Sequence, residues 1–240
     1  MQIAIVSDIH GNLPAWEAIL ADIRSRNIGQ VYCLGDLVDF APWDREVIAS
    51  VRKLGIPCIL GNHDERVGRN LPVIPKTKHS AREQAAREDA INYTKNVLDE
   101  QEKAYLAELP FSLTLTYKFP TKTWRILLVH AHPNSNERYI FADEPLDNLR
   151  EIFQEQACDV LCVGHTHYSY IRPVDGNWVI NPGSVGRSKE YNRLASYAIL
   201  DISETAIRSE IIQVPFDRQA VIHGIEQSPI PNFYAEFWKQ

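Results

Sequence analysis

The chain has 240 residues, with 25 basic and 31 acidic side chains and a formal charge of −6. A chain of this length buries about 70% of its extended surface, enough for a core without staples. Its composition, 45% hydrophobic and 23% charged, excludes a disordered, collagen-like or coiled-coil chain. The acidic balance argues against nucleic acid as the main partner, because neutralising phosphates wants a basic face. A small phosphate substrate stays open, since a bound metal ion supplies positive charge locally.

The opening Met1-Gln2-Ile3-Ala4-Ile5-Val6 shows no basic n-region, so no secretory signal is expected. The longest apolar runs are five or six residues, so no membrane span is expected either. Cys33, Cys58, Cys158 and Cys162 lie in or beside short apolar runs, the setting of buried reduced thiols, and point to the cytoplasm.

In chain order, Ile3 to Ser7, Val31 to Leu34, Ile56 to Leu60, Trp124 to Val129 and Val160 to Val163 read as buried strands, mostly β-branched or leucine. The first helix starts at Asn12 as N-cap, with Pro14 in its first turn and Trp16, Ile19, Leu20 and Ile23 on one face. A second helix covers Asp44 to Leu54, stopped by Gly55 and Pro57, and another covers Leu146 to Ala157. From Ser80 to Leu109 the pattern is a helical insertion, with helix starts at Ser80-Ala-Arg-Glu83 and at Asp99-x-x-Glu102. From Tyr168 onward the strands become hairpin-like: Tyr168 to Val174, the turn Asp175-Gly176-Asn177, Trp178 to Asn181, then Ser196 to Ile202 and Ala206 to Val214. The last ten residues hold four aromatics, which either pack back on the core or form a subunit contact. One α/β domain spanning residues 1–240 is expected.

Five apolar segments end in residues able to bind metal. They are Asp8-Ile-His10, Gly35-Asp36-Leu-Val-Asp39, Gly61-Asn62-His63-Asp64, His130-Ala-His132 and Gly164-His165-Thr-His167. The carboxyl ends of strands in an open α/β sheet converge on one crevice, so these side chains gather in one place. Six of the eight histidines lie in these tips, leaving His79 and His223 as expected surface residues. Asp8 and His10, like His165 and His167, are two apart, so at an extended strand end both members point the same way. Imidazole with carboxylate and amide oxygen suits Mn, Fe, Zn, Ni or Co better than Ca. Seven ligands are too many for one ion and natural for two that share a carboxylate.

These five motifs, in this order, closely resemble those of the calcineurin-like metallophosphoesterase superfamily: D-x-H, G-D-x-x-D, G-N-H-[DE], a lone H, then G-H-x-H. Asp8-Ile-His-Gly-Asn12 and Ile180-Asn-Pro-Gly-Ser-Val-Gly186 are similar to its small bacterial and archaeal phosphodiesterase branch. The resemblance implies a four-layer αββα sandwich of two mixed sheets. It implies one divalent ion, manganese first, on Asp8, His10, Asp36 and His167. A second would sit on Asp36, Asn62, His130 and His165, with Asp36 bridging. His63 matches the catalytic histidine that stabilises the leaving oxygen, and Asp39 the acid that orients it.

Several roles stay open. Asp39 reads either as the partner of His63 or as a helix cap. Asp64 reads either as an orienting residue or as a cap. His132 reads as an exchanged ligand, a phosphate contact or a rim residue, with His130 favoured as the ligand. Asn12 and Arg187 join His132 as candidate substrate contacts. Position 39 is Asp rather than the tyrosine of purple acid phosphatases, and Leu60 stands where the serine/threonine protein phosphatases carry arginine. The expected activity is phosphoester hydrolysis by a metal-bridging hydroxide, on a phosphodiester or small nucleotide-type substrate. A phosphomonoesterase or protein phosphatase of the same fold is the alternative. A non-catalytic scaffold, as in the retromer subunit of this fold, lacks the catalytic histidine that His63 supplies here.

Overall fold

The computed structural model describes residues 1–77 and 79–239. In chain order its elements begin β1 (Gln2–Val6), α1 (Leu13–Ser25), β2 (Val31–Cys33), α2 (Asp44–Lys53) and α3 (Asn62–Gly68). There follow α4 (Ala81–Val97), α5 (Glu100–Ala107), β3 (Ser112–Lys118), β4 (Thr123–Val129), α6 (Leu146–Gln156) and β5 (Val160–Cys162). The last are β6 (Ser169–Val174), β7 (Asn177–Pro182), β8 (Ala195–Ile202), β9 (Ile207–Val214), α7 (Arg218–Glu226) and α8 (Phe233–Glu236).

Strand periodicity sorts the apolar residues into layers. Along β1, Ile3 and Ile5 enter one core, while Ala4 and Val6 enter another. Along β4, Ile126 and Leu128 face the same core as Ile3 and Ile5, and Leu127 and Val129 face away from it. That shared core lies between two sheets. The first is four-stranded, in the order β2-β1-β8-β9, and the second is five-stranded, β3-β4-β5-β7-β6. Both are mixed: β1 pairs parallel with β2 and antiparallel with β8, and the parallel run β4-β5-β7 is flanked by antiparallel β3 and β6. Trp16 and Ile19 of α1, with Val47 and Val51 of α2, cover the outer face of the first sheet. Leu149, Ile152 and Phe153 of α6 cover the second. The result is the expected αββα sandwich.

Local signals set several boundaries. Asn12 Oδ1 accepts from Ala15 N at 3.1 Å and starts α1. Ser80 with Glu83, and Asp99 with Glu102, form two capping boxes, so 80–109 holds two helices. Other expectations change. Ile56 to Leu60 forms no full strand and pairs only where Cys58 meets Cys33. α3 starts directly on Asn62, and its seven residues are too short to show a helical period. The expected strands omitted β3, although Leu113, Leu115 and Tyr117 alternate along it. The aromatic tail packs back on the chain: Tyr234 and Trp238 are buried among Ala86 and Ala90 of α4 and Val221 and Ile225 of α7.

Candidate metal centre

The candidate ligands sit past the strand ends at one edge of the two sheets, on short loops except for Asn62, the first residue of α3. β1 stops at Val6 and β5 at Cys162, so the expectation that extended strand ends align Asp8 with His10 and His165 with His167 is corrected. All four take left-handed backbone, with φ of 55°, 53°, 64° and 63°, as do Asp36 at 55° and Asp39 at 75°. This conformation costs a non-glycine residue about 1–2 kcal/mol. Main-chain hydrogen bonds between neighbouring loops hold it in place. Asp8 N donates to Gly35 O at 3.0 Å, His10 N to Asp36 O at 3.0 Å, Gly164 N to His130 O at 2.7 Å and Gly186 N to Asp8 O at 2.9 Å.

These loops bring the ligating atoms into two buried groups, Asp8 with His10 and His167, and Asp36 with His130 and His165. Each carboxylate has one oxygen engaged and one turned toward its group. Asp8 Oδ2 accepts from Ser7 Oγ at 2.6 Å and His165 N at 3.0 Å. Asp36 Oδ1 accepts from His63 N at 2.8 Å. Asp8 Oδ1, Asp36 Oδ2 and His165 Nε2 are buried and make no hydrogen bond. Asp36 Oδ2 lies 3.7 Å from His10 Nε2 and 3.4 Å from His130 Nε2, between the two groups.

Ring tautomers sharpen the picture. His10 Nδ1 donates to Val38 O at 2.9 Å and His167 Nδ1 donates to Arg187 O at 2.8 Å, so each neutral ring presents a lone pair at Nε2. Those two Nε2 atoms are 3.2 Å apart. Burial lowers the pKa of both rings, His10 to about 4, against the pull of Asp36 and Asp8 on His10 and of Asp8 on His167. Two lone pairs at this distance repel unless a cation lies between them. Ligands about 2.1 Å from one ion stand roughly 3.0–3.4 Å apart, so the spacing fits. In the other group His130 Nδ1 donates to Leu34 O at 2.8 Å and Nε2 lies 3.1 Å from Asn62 Oδ1. Burial opposes charging His130, but the charge of Asp36, whose Oδ2 lies 3.4 Å away, together with that of Asp8, pushes it up to about 10. The residues fit a pair of divalent cations.

Beside these groups His63 Nδ1 donates to Asp39 Oδ2 in a short, buried contact. Burial draws His63 down to about 4, against the opposite pull of Asp36 and Asp39. His63 also lines a cleft whose walls include Phe40, Tyr139, Arg87, Arg187 and Tyr234. Of the three expected substrate contacts, Arg187 alone is on that wall. Asn12 is fully buried with both ends of its amide engaged, Oδ1 in the helix cap and Nδ2 donating to Gly186 O at 2.9 Å. It ties two loops together. His132 Nδ1 accepts from Asn134 N at 3.1 Å within a tight turn, outside both groups. His79, expected at the surface, lines the cleft instead, whereas His223 is exposed on α7.

A family model described as the calcineurin-like phosphoesterase superfamily domain matches residues 1–205. The chain belongs to the calcineurin-like phosphoesterase superfamily. It is 30% identical over 251 residues to the uncharacterized protein MJ0912 of Methanocaldococcus jannaschii, covering 98% of this chain and 96% of that one. A metallophosphoesterase from Sphaerobacter thermophilus superposes with a TM-score of 0.76 at 25% identity, over 100% of this chain and 98% of the other. The hypothetical protein PH1004 from Pyrococcus horikoshii OT3 shares the fold, with a TM-score of 0.83 at 22% identity over 99% and 97% of the two chains.

This calcineurin-like chain supports its ligand loops with one motif residue, Asp64, and with residues outside every motif. Asp64 both caps its helix and clamps a neighbouring loop, accepting from Gly61 N at 3.1 Å, Asp36 N at 2.7 Å and Leu37 N at 2.8 Å. Burial, then the charge of Asp36, pushes Asp64 up to about 7 against those donors. Asp44, expected only to start α2, accepts from Asp39 N at 2.9 Å and Thr94 Oγ1 at 2.9 Å, and so holds the Asp39 turn. Tyr139 stacks on His165 with ring centroids 4.1 Å apart. Nothing in the spacing of Asp44 or Tyr139 announces these roles. Gly61 allows the loops to meet: a Cβ there would lie 2.2 Å from Asp36 N.

Proposed function

We propose that this chain is a two-metal phosphoesterase acting on a phosphodiester or a small nucleotide-type substrate. The observation that carries the reading is the buried hydrogen-bonded pair His63 and Asp39 standing beside two groups of inward-facing ligand atoms, at the floor of one cleft. Asp8, His10, Asp36 and His167 would hold one ion, and Asp36, Asn62, His130 and His165 the other, with Asp36 common to both. The donor set of imidazole, carboxylate and amide favours manganese, with iron, zinc, nickel and cobalt as the other fitting ions. Such ions supply Lewis-acid charge to phosphate oxygens and lower the pKa of water.

The chain's own residues do the rest. Asp39 accepts the Nδ1–H hydrogen bond and fixes the ring, leaving Nε2 of His63 for the substrate. The charge of a bound phosphate ester raises the imidazole pKa, so the ring takes up a proton on binding and delivers it to the departing oxygen. Burial on every side keeps the ligand rings and carboxylates from turning toward water. The aromatic walls, Phe40, Tyr139, Phe233 and Tyr234, favour an organic ester over inorganic phosphate. Four free, buried cysteines support a reducing compartment, the cytosol, as its location. No helix among the described residues is long and apolar enough to cross a membrane.

The test is hydrolysis of bis-p-nitrophenyl phosphate and p-nitrophenyl phosphate by manganese-loaded protein. The diester should turn over faster. His63→Ala should lower turnover about 10²–10⁴-fold while keeping the metal. No turnover of either ester by metal-loaded protein defeats the proposal, and loss of metal in His63→Ala reassigns that residue.

A further inference from the structure

Although the chain carries −6 overall, the cleft wall beyond the candidate metal ligands presents Lys76, Arg87, Arg187 and Lys189 against a single acid, Glu83. Lys76 lies 3.5 Å from Glu137, Arg87 donates to Ile74 O at 2.9 Å, and Lys189 donates to Thr166 O at 3.1 Å. Arg187 is held differently. Its guanidinium carbon lies 4.2 Å from the ring centre of Phe40, 5.0 Å from that of Phe237 and 5.6 Å from that of Tyr234. Among the described residues the guanidinium makes no hydrogen bond or ion pair. Aromatic faces attract the plane of the cation but leave its edge, with five N–H donors, unspent. A guanidinium packed among three aromatic rings with its N–H donors unspent is set up to grip an oxyanion with two parallel hydrogen bonds.

The position of this cation relative to the proposed chemistry is fixed twice. The Arg187 main-chain oxygen accepts from His167 Nδ1 at 2.8 Å. Phe40, against the guanidinium, also stands 4.9 Å from the His63 ring and 4.7 Å from the His10 ring. Arg187 and His63 therefore share one aromatic neighbour, Phe40, and both line the same cleft. Two rings of the cage, Tyr234 and Phe237, come from the tail, beyond residue 205 where the family match ends.

We propose that the Arg187 cage is a subsite for a second phosphate, carried on the same small molecule as the ester that is cleaved. Even with Lys76 facing Glu137, the cations Arg87, Arg187 and Lys189 outnumber Glu83 along the wall, which favours a second phosphate over a lone carboxylate. The proposal rests on the phosphoesterase reading for its first phosphate, and binding measurements separate the two.

Manganese-loaded protein is titrated calorimetrically with adenosine 3′,5′-bisphosphate and with adenosine 5′-monophosphate. The bisphosphate should bind at least tenfold more tightly, and Arg187→Met should cut that preference below threefold while retaining its manganese and its melting transition. If Arg187→Met fails to fold, Arg187→Lys keeps the charge without the planar fork and should lose at least threefold of the preference. Equal affinities in the parent protein overturn the subsite. So does a preference that survives in the variant. Equal weakening of both ligands places Arg187 on the cleaved phosphate and overturns it too. A preference for the bisphosphate in a protein that hydrolyses neither nitrophenyl ester defeats the phosphoesterase reading alone.

Discussion

Removing the Asp64 carboxylate tests whether the candidate site is held by its supporting shell. Asp64 is fully buried and accepts from three backbone N–H groups, those of Asp36, Leu37 and Gly61. Asp64→Ala leaves all three without a partner. A buried donor stripped of its acceptor costs about 1–3 kcal/mol, so three cost at least about 3 kcal/mol even after the loop relaxes. Against a total stability of about 5–15 kcal/mol this is a large fraction. For a chain of this size 1 kcal/mol moves the melting temperature by about 2–4 °C, so the variant should melt about 6–12 °C lower. Asp64→Asn keeps one acceptor oxygen and points an amide N–H₂ at a donor, and should lie between the two. The assay is thermal and urea unfolding of both variants, with manganese content measured alongside. The loss should include metal affinity, because Asp36 rides on the clamped loop. An Asp64→Ala protein that melts within 2 °C of the parent and binds manganese unchanged refutes the reasoning.

Other expectations follow from the same geometry. Because Asp36 and Asp8 push His130 up to about 10 against its burial, loading a divalent ion must release that proton. Manganese affinity should therefore rise with pH between 6 and 9, approaching tenfold per unit, and a flat profile contradicts it. Asp44 is raised well above the usual carboxylate range by burial and then by Asp39, so the folded state holds its proton longer than the unfolded chain. Its contribution to stability thus falls as pH rises above about 4. Asp44→Asn should gain stability relative to the parent as pH rises from 4 to 8, and urea unfolding at both pH values checks the sign. At Gly186 a Cβ would stand 1.7 Å from Ile9 O, a backbone clash that no side-chain rotation relieves. Gly186→Ala should drive apart the loops that orient His167 and Asp8, and lower manganese affinity about 10–100-fold by calorimetry.

The gathering of the ligands was legible because the chemistry repeats: each apolar run closes on Asp, Asn or His within a few residues. Helix starts at Asn12, Ser80 and Asp99 were legible for a similar reason, since a cap is a local bond from a side chain to a backbone N–H within the next turn. What carries the site's precision was not. The left-handed backbone at Asp8, His10, His165 and His167 is imposed by hydrogen bonds between loops far apart in sequence, and no local propensity announces it. Asn12, expected both as a helix cap and as a substrate contact, spends its amide on the cap and on Gly186, 174 residues away, a contact no local pattern announces. Asp44 and Arg187 take their roles from Asp39 and from the aromatic tail, contacts that exist only once the layers have stacked.

The measurement closest to the central claim is the stoichiometry of manganese binding to metal-stripped protein. Two ions per chain are predicted, with Asp36→Asn weakening both sites together because Asp36 Oδ2 lies between the two groups. Binding of no ion, or a single ion untouched by Asp36→Asn, would contradict the two-metal account.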